Sequence, residues 1–326
     1  MSGFGAKGAP TAPEINGWKH LRTGKVRDLY INEKHELLIV ASDRISAFDW
    51  VLPTEIPNKG EILTQISLFW FELLSDLVPN HIISTDVPDI VRGRAIIAKE
   101  LNMFAIECVA RGYLTGSGWI EYQRSQSVCG NLLPPGLQDG SELPESIFTP
   151  ATKAEIGDHD LNIDFESAAK IVGESEATEL KRLTLALYNR AKDYASTREI
   201  ILVDTKFEFG LDKDGVITLG DEALTPDSSR FWDQNHNSFD KQYLRDYLVY
   251  HLEVLVIVRA HVGQSSVQKI LVERKNEQYE YSGRYAHLNH EQSRHHIVMS
   301  FLLVSPESNL ERKVLNHLWF LNKILV

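Results

Sequence analysis

Residues 200–230 read IILVDTKFEFGLDKDGVITLGDEALTPDSSR, and the rest of the chain is arranged around them. The stretch from Ile200 to Phe209 is rich in β-branched and aromatic residues, and Val216 to Leu219 is a second apolar run. Asp212-Lys213-Asp214-Gly215 between them is a turn signal, so the stretch predicts a β-hairpin. Alternation along the first strand puts Asp204, Lys206 and Glu208 on one face and Thr205, Phe207 and Phe209 on the other. Gly220-Asp221-Glu222 then ends the second strand in two more carboxylates. Strict alternation sets Asp221 on the side of Ile217 and Leu219. For Asp221 to work with Glu208 the parity must break, and a bulge at Gly220 is the expected place. Two carboxylates from neighbouring strands, open on one side, suit Mg²⁺ held jointly with substrate phosphates. The same residues also fit a solvated hairpin face, and spacing alone does not choose between the two.

The whole chain sets bounds on both readings. Its 326 residues are enough for one large or two ordinary domains. A formal net charge of -11 argues against a general nucleic-acid or anionic-membrane surface, so any anionic substrate requires locally concentrated Lys and Arg. Two cysteines, Cys108 and Cys129, allow at most one bridge, which fits a reducing cytoplasm. The first 16 residues read as a loose Gly/Ala/Pro arm without an apolar core. The longest apolar stretch, residues 247–258, is broken by His251 and Glu253 and is too short to span a bilayer.

Taken in order, GKVRDLY (residues 24–30) and ELLIVA (residues 36–41) predict a hairpin across a polar turn. Lys25 and Arg27 share a face there. Two cations beside a glycine suit phosphates, although the P-loop spacing is absent, and a solvated edge strand fits them equally. SDRISAFD (residues 42–49), with Asp43 and Ser46, follows a buried strand and reads as a binding loop or an Asx-type turn. Pro57-Asn58-Lys59-Gly60 introduces a helix over about residues 61–77, whose Ile62, Ile66, Phe69 and Leu73 recur at helical spacing. Two further strands are expected at residues 91–98 and 104–110, joined by a link from Lys99 to Met103 that suits an adenine pocket between lobes. Arg111-Gly112-Tyr113-Leu114-Thr115-Gly116-Ser117-Gly118 combines a forked donor, three glycines and two hydroxyls, a pattern that suits an anion or a flexible turn. Residues 125–152 read as a long loop with several prolines, ending in Lys153 and the charged run Gly157-Asp158-His159-Asp160. Helices follow over residues 165–172 and from 174 to about 194.

Several long motifs in this order carry a resemblance. They are GKVRDLY, SDRISAFD, IPNKGEILTQISLFWF, ECVARGYLTGSGW, FTPATKAEIGDHD, ILVDTKFEFG, GDEALTPDSSRFW and SFDKQYLRDYL. Over about residues 17–249 the chain closely resembles the SAICAR synthetase family of de novo purine synthesis. The resemblance implies an α+β, two-lobed fold, kinase-like and ATP-grasp-like, with antiparallel sheets and flanking helices. It implies an arm over residues 1–16, a nucleotide-covering lobe over 17–103, a lobe with the metal and substrate sites over 104–249, and a divergent segment over 250–326. The implied reaction joins carboxyaminoimidazole ribonucleotide to L-aspartate with ATP as co-substrate and Mg²⁺ as the ion, releasing ADP and phosphate. No nucleic acid or membrane partner is expected, and the sequence leaves the oligomeric state open with a monomer favoured.

The resemblance also assigns residues. Glu208 and Asp221 match the family's Mg²⁺-binding carboxylates, with Lys206 beside them and Asp160 near the imidazole end. Lys25 and Arg27 fall in the phosphate-covering strands, Lys153 near the nucleotide, and the link from Lys99 to Met103 in the adenine-contacting hinge. Arg111, Ser117 and Arg230 match positions that hold the ribonucleotide, chiefly its 5′-phosphate, and Asp43, Ser46 and Lys59 belong to the same cleft. Residues 250–326 match nothing in the family's usual ending, which keeps open a second reading: a chain that binds nucleotide but turns over poorly.

Overall fold

The computed structural model describes residues 11–47, 50–52, 54–153, 161–242 and 244–246. Asp160 and the divergent segment over 250–326 therefore lie outside the described residues.

A first sheet is built from β1 (Lys19–Thr23), β2 (Arg27–Ile31) and β3 (Glu36–Ala41). The two-residue strands β4 (Ser46–Ala47) and β5 (Trp50–Val51) pair with each other, and helix α1 (Lys59–Leu73) follows. β6 (Ile82–Ser84) and β7 (Ala95–Lys99) complete the first sheet, whose order is β1-β2-β3-β7-β6 with every pair antiparallel. Its alternating residues separate cleanly. Tyr30, Leu38, Val40 and Ala95 pack with Ile15, Val87 and Val91 on one side, while Ile39, Ala41 and Ile96 face α1 across a pocket.

The second sheet has seven strands. Its strands are β8 (Asn102–Met103), β9 (Ile106–Leu114), β12 (Ser141–Phe148), β13 (Ala151–Thr152), β14 (Ile201–Leu211), β15 (Ile217–Gly220) and β16 (Ser229–Trp232). Helix α2 (Gly116–Ser125) and a small ribbon of β10 (Ser127–Val128) and β11 (Asn131–Leu132) lie between β9 and β12. Helices α3 (Phe165–Val172) and α4 (Glu174–Ser196) precede β14. Asp164 caps α3, its side chain accepting from Ser167 N at 2.8 Å. The buried stripe of α4, including Leu180, Leu183, Leu187 and Ala191, joins one core with Cys108, Ala110, Phe207 and Phe209 from the sheet, Ile66 and Trp70 from α1, and Leu74 just after it.

Half of the long loop expected over residues 125–152 is instead strand. β12 pairs with β9 at the sheet's edge, and the register shifts between Glu142 and Ile147, the interval that contains Pro144. A proline without an N–H is tolerated on such an irregular edge, and it disguised the strand. Likewise Arg111-Gly112-Tyr113-Leu114, expected in a loop, is the end of β9. Gly112 is required there because an added Cβ would overlap the Tyr188 hydroxyl. That hydroxyl donates to Leu202 O (2.7 Å) in β14, and Val203 O lies 3.1 Å away.

The predicted hairpin is present. Asp212 Oδ1 accepts from Asp214 N and Val216 N, both at 3.0 Å, and closes its turn. The expected bulge at Gly220 is not. Pairing stays regular from Leu211↔Ile217 to Glu208↔Gly220, after which the chain leaves the sheet and rejoins β14 at Thr205↔Ser229. β15 and β16 are thus one strand line interrupted by residues 221–228. Parity breaks because Asp221 adopts a left-handed backbone with φ 57°, not because a residue is inserted into the ladder.

Candidate active site

The register of the second sheet decides the site. Arg111 of β9 stands opposite Asp204 of β14, which in turn stands opposite Arg230 of β16, while Val109 stands opposite Lys206. One more step in that register brings Glu107 level with Glu208. Directly opposed residues share a face, so one face carries two arginines around a carboxylate at one end and carboxylates around a lysine at the other. Asp204 and Glu208 are four residues apart, about 13 Å along an extended strand. The opposite face, with Thr205, Phe207, Cys108 and Ala110, is buried under the helices.

At the arginine end, Arg111 donates to Asp204 Oδ2 (2.8 Å), Thr149 Oγ1 (2.9 Å) and Ser117 Oγ (3.1 Å). Arg230 pairs with the same Asp204 oxygen. Burial lowers the Arg111 pKa, whereas the Asp204 charge raises that of Arg230. Gly116 opens α2 with φ +57°, and a Cβ there would lie 2.5 Å from Arg230 Nη2. Two cations on one carboxylate, a hydroxyl and a helix start with its N–H groups are a donor set of the kind that suits a phosphate. Arg111, Ser117 and Arg230 are brought together as expected. Asp204, which lies on the face expected from strand alternation, holds both arginines, and Thr149, which the sequence does not single out, holds Arg111.

At the other end, Lys206 Nζ donates to Glu107 Oε1 (2.6 Å) and Glu208 Oε1 (3.1 Å), and Lys153 Nζ reaches Glu208 Oε2 (2.5 Å). Across the cleft, Arg27 of the first sheet pairs with both Asp221 and Glu222. Burial works against the Lys206 ammonium, but Glu208, Glu107 and Asp221 hold it well above the usual lysine range. Burial similarly opposes the Asp221 carboxylate, and Arg27 and Lys206 outweigh it, lowering its pKa. Four carboxylates thus meet three cations, leaving a net negative charge. The donors are all oxygen, which suits a hard divalent cation. Among the described residues no group of three or more His, Cys, Asp or Glu is arranged to hold a metal unaided.

The remaining expected residues separate. Lys25 lies exposed in the bend between β1 and β2, just ahead of Arg27. Lys99 ends β7, and Met103 in β8 pairs with Gly210, so the link between the sheets is stitched to β14. Asp43 accepts from Gly60 N (2.9 Å) and Asn58 N (3.2 Å), and Arg94 lies 3.2 Å away, so it caps the start of α1. Ser46 is buried in β4. Lys59 is 1% exposed and donates to Asp227 Oδ2 (2.8 Å), which Lys241 also approaches (3.1 Å). Behind Arg27, Asp221 and Glu222 an apolar pocket opens, walled by Ile39, Leu63, Leu68, Phe71 and Ile96. No helix among the described residues is long and apolar enough to cross a membrane.

The SAICAR synthetase family profile matches residues 20–256. The chain belongs to the SAICAR synthetase family. It is 56% identical over 259 residues to the phosphoribosylaminoimidazole-succinocarboxamide synthase of Streptomyces coelicolor, covering 76% of this chain and 86% of that one. The protein of that name from Thermobifida fusca is 55% identical over 259 residues, with 76% and 84% covered. Among solved structures, SAICAR synthase from Saccharomyces cerevisiae complexed with SAICAR superposes with a TM-score of 0.67 at 38% identity, over 80% of this chain and 93% of that one. A SAICAR synthetase in complex with ADP gives 0.59 at 27% identity, over 81% and 100%. The two-lobed α+β architecture is therefore that of SAICAR synthetases.

Proposed function

We propose that the chain is an ATP-dependent ligase that condenses carboxyaminoimidazole ribonucleotide with L-aspartate to give SAICAR, a step of purine biosynthesis. The enzyme's name is that of its relatives, and ADP and SAICAR are the molecules held by two structures that resemble it. The observation that carries the residue-level reading is the polar face of β9, β14 and β16, with a phosphate-shaped arginine pair at one end and an acidic cluster at the other. A ribonucleotide laid along it puts its 5′-phosphate on Arg111, Arg230, Ser117 and the amides around Gly116. Its carboxylate then reaches towards Lys206, Glu208 and Asp221.

A carboxylate is a poor acylating agent. Phosphorylation by ATP converts it to an acyl phosphate with a good leaving group, which the aspartate amine attacks. Alignment and charge neutralisation are the protein's share of that work. Glu208 and Asp221 would hold Mg²⁺, which when bound neutralises charge on the nucleotide phosphates. Arg27 and Lys25 lie on the side of the first sheet that would cover those phosphates, and Lys153 and Lys206 contribute positive charge from below. Lys99 to Met103 would border the adenine. Asp43 and Lys59 act through the start of α1 and through Asp227, and Ser46 through the short ribbon beside them. Asp160 is assigned to the imidazole end on the resemblance.

The alternative of a chain that binds nucleotide without turnover is favoured by none of the comparisons. The family match continues to residue 256, beyond the point where the motifs end. A coupled assay of ADP release, with ribonucleotide, aspartate and ATP each omitted in turn, tests the proposal. Release that requires all three supports it. Release independent of ribonucleotide or aspartate contradicts it, and nucleotide binding without release supports the alternative.

A further inference from the structure

Ser42-Asp43-Arg44 follows β3 directly. Asp43 caps α1, while its two neighbours reach the turn between β1 and β2, Gly24-Lys25-Val26. The register Arg27↔Ala41, continued by one step, sets Val26 opposite Ser42. Ser42 donates twice to the same oxygen, its N–H to Val26 O at 2.9 Å and its hydroxyl to Val26 O at 2.8 Å. Arg44 Nη2 donates to Asp28 Oδ1 (3.1 Å) and, at a longer 3.4 Å, to Gly24 O. The turn also closes on itself, since Gly24 N donates to Arg27 O at 2.7 Å. The Arg44 and Asp28 side chains are both buried, and Arg44 Nε has no hydrogen-bond partner. Exchanging a buried ion pair for apolar packing often costs no stability, and an orphaned buried donor is itself a cost. What this pair supplies is geometry: a forked donor that joins β2 to the first carbonyl of the turn.

We propose that Ser42 and Arg44 are positioning residues for nucleotide binding, tying back the Val26 and Gly24 carbonyls so that the turn presents Lys25 and Arg27 to the nucleotide phosphates. The inference rests on the reading of Lys25 and Arg27 as phosphate-covering cations. Carbonyl oxygens repel a phosphate, whereas N–H groups and cations attract it. Across a trans peptide the N–H points opposite to the carbonyl, so a Gly24 O held by Arg44 sends the Lys25 N–H away from Arg44. Ser42 and Arg44 thereby belong to the ATP end of the site and act through the turn, without touching the ribonucleotide held at Arg111.

The test measures ADP affinity by calorimetry with magnesium present, and the KM values of ATP and of ribonucleotide by ADP release. Ser42→Ala removes the hydroxyl bond and Ser42→Thr keeps a hydroxyl. Arg44→Lys keeps the charge beside Asp28 but loses the fork, and Lys25→Ala removes one of the presented cations. We expect Ser42→Ala to weaken ADP binding about 3- to 10-fold, the worth of one hydrogen bond. The ATP KM should rise with it while the ribonucleotide KM stays within about twofold of native. Ser42→Thr should bind ADP within about twofold of native, and Arg44→Lys should weaken it by about twofold or more. In a Lys25→Ala background the Ser42→Ala change should cost less than about twofold, because residues that act as a unit are not additive. Native ADP affinity in Ser42→Ala, equal losses for ADP and ribonucleotide, or a Ser42→Thr protein as weak as Ser42→Ala overturns the positioning role. If Lys25→Ala is weakened in the same experiment, the phosphate-covering reading of the turn survives that result. Native ADP affinity in Lys25→Ala overturns that reading and the positioning role with it. If Arg44→Lys does not fold, the two Ser42 variants decide the proposal alone.

Discussion

Replacing Gly116 by alanine tests the phosphate end of the site through a single methyl group. The residue sits at φ +57°, so alanine there costs roughly 1–2 kcal/mol of backbone energy. Its Cβ would lie 2.5 Å from Arg230 Nη2 and 3.1 Å from Arg230 Cζ. Ordinary contact between such atoms is about 3.5 Å or more, so the guanidinium must retreat by on the order of 1 Å. Arg230 is the flexible partner and can move, but the displacement takes it off Asp204 and away from the cradle beside Ser117. A hydrogen bond to a charged group is worth about 1.5–3 kcal/mol, so losing one phosphate contact should raise the ribonucleotide KM roughly 10- to 100-fold. The ATP KM, set at the other end of the face, should stay within about twofold, since contacts this far apart act independently. The melting temperature should fall by several degrees, about 2–4 °C per kcal/mol lost for a chain of this size. Steady-state ADP release, with ribonucleotide and then ATP as the varied substrate, measures both constants. A folded Gly116→Ala protein with native ribonucleotide KM, or one in which both constants rise together, would refute the reasoning.

Glu208→Ala and Asp221→Ala should each lower kcat on the order of 100-fold or more in the same assay. Native turnover in either, with folding verified by circular dichroism, contradicts the metal assignment. Arg111→Ala should weaken ribonucleotide binding far more than ATP binding, measured calorimetrically, while Asp204 retains Arg230 as a partner; equal losses for both ligands would mean the substrate is misplaced. The Asp227 carboxyl is opposed by burial, yet Lys241 and Lys59 hold it below its ordinary 3.8. A depressed carboxylate pKa stabilises the fold above 3.8 and loses that contribution as the pH falls below it. Asp227→Asn should therefore lower the urea midpoint markedly at pH 7, since it strands two buried lysines at a cost of about 3–5 kcal/mol, and its deficit should shrink towards pH 3. A deficit that is constant with pH would place the stabilisation elsewhere.

How much of this was legible in the sequence depended on the range of each interaction. The acid, base and acid of Asp204, Lys206 and Glu208 could be read because strand alternation is local, and the structure keeps all three on one face. The break in parity was legible as a necessity but not as a mechanism, because a left-handed Asp221 and a bulge at Gly220 leave the same spacing. Glu107 was missed although its signal was present: a lone carboxylate in the apolar run FAIECVA, 9% exposed and paired with Lys206. Lys59 was grouped with the substrate residues, whereas its partner is Asp227, 168 positions away. Such a pair leaves no local pattern, because the fold alone brings its members together. The strand at Ser141–Phe148 was hidden by Pro144 and its charges, features that an edge strand with a register shift accommodates.

The proposed chemistry needs a divalent ion held between β14 and the turn after β15. The most direct measurement is anomalous diffraction from a crystal grown with ADP and Mn²⁺. The account predicts one strong peak within about 2.0–2.3 Å of a carboxylate oxygen of Glu208, of Asp221 or of both, and of a nucleotide phosphate. A peak coordinated by neither residue would contradict it.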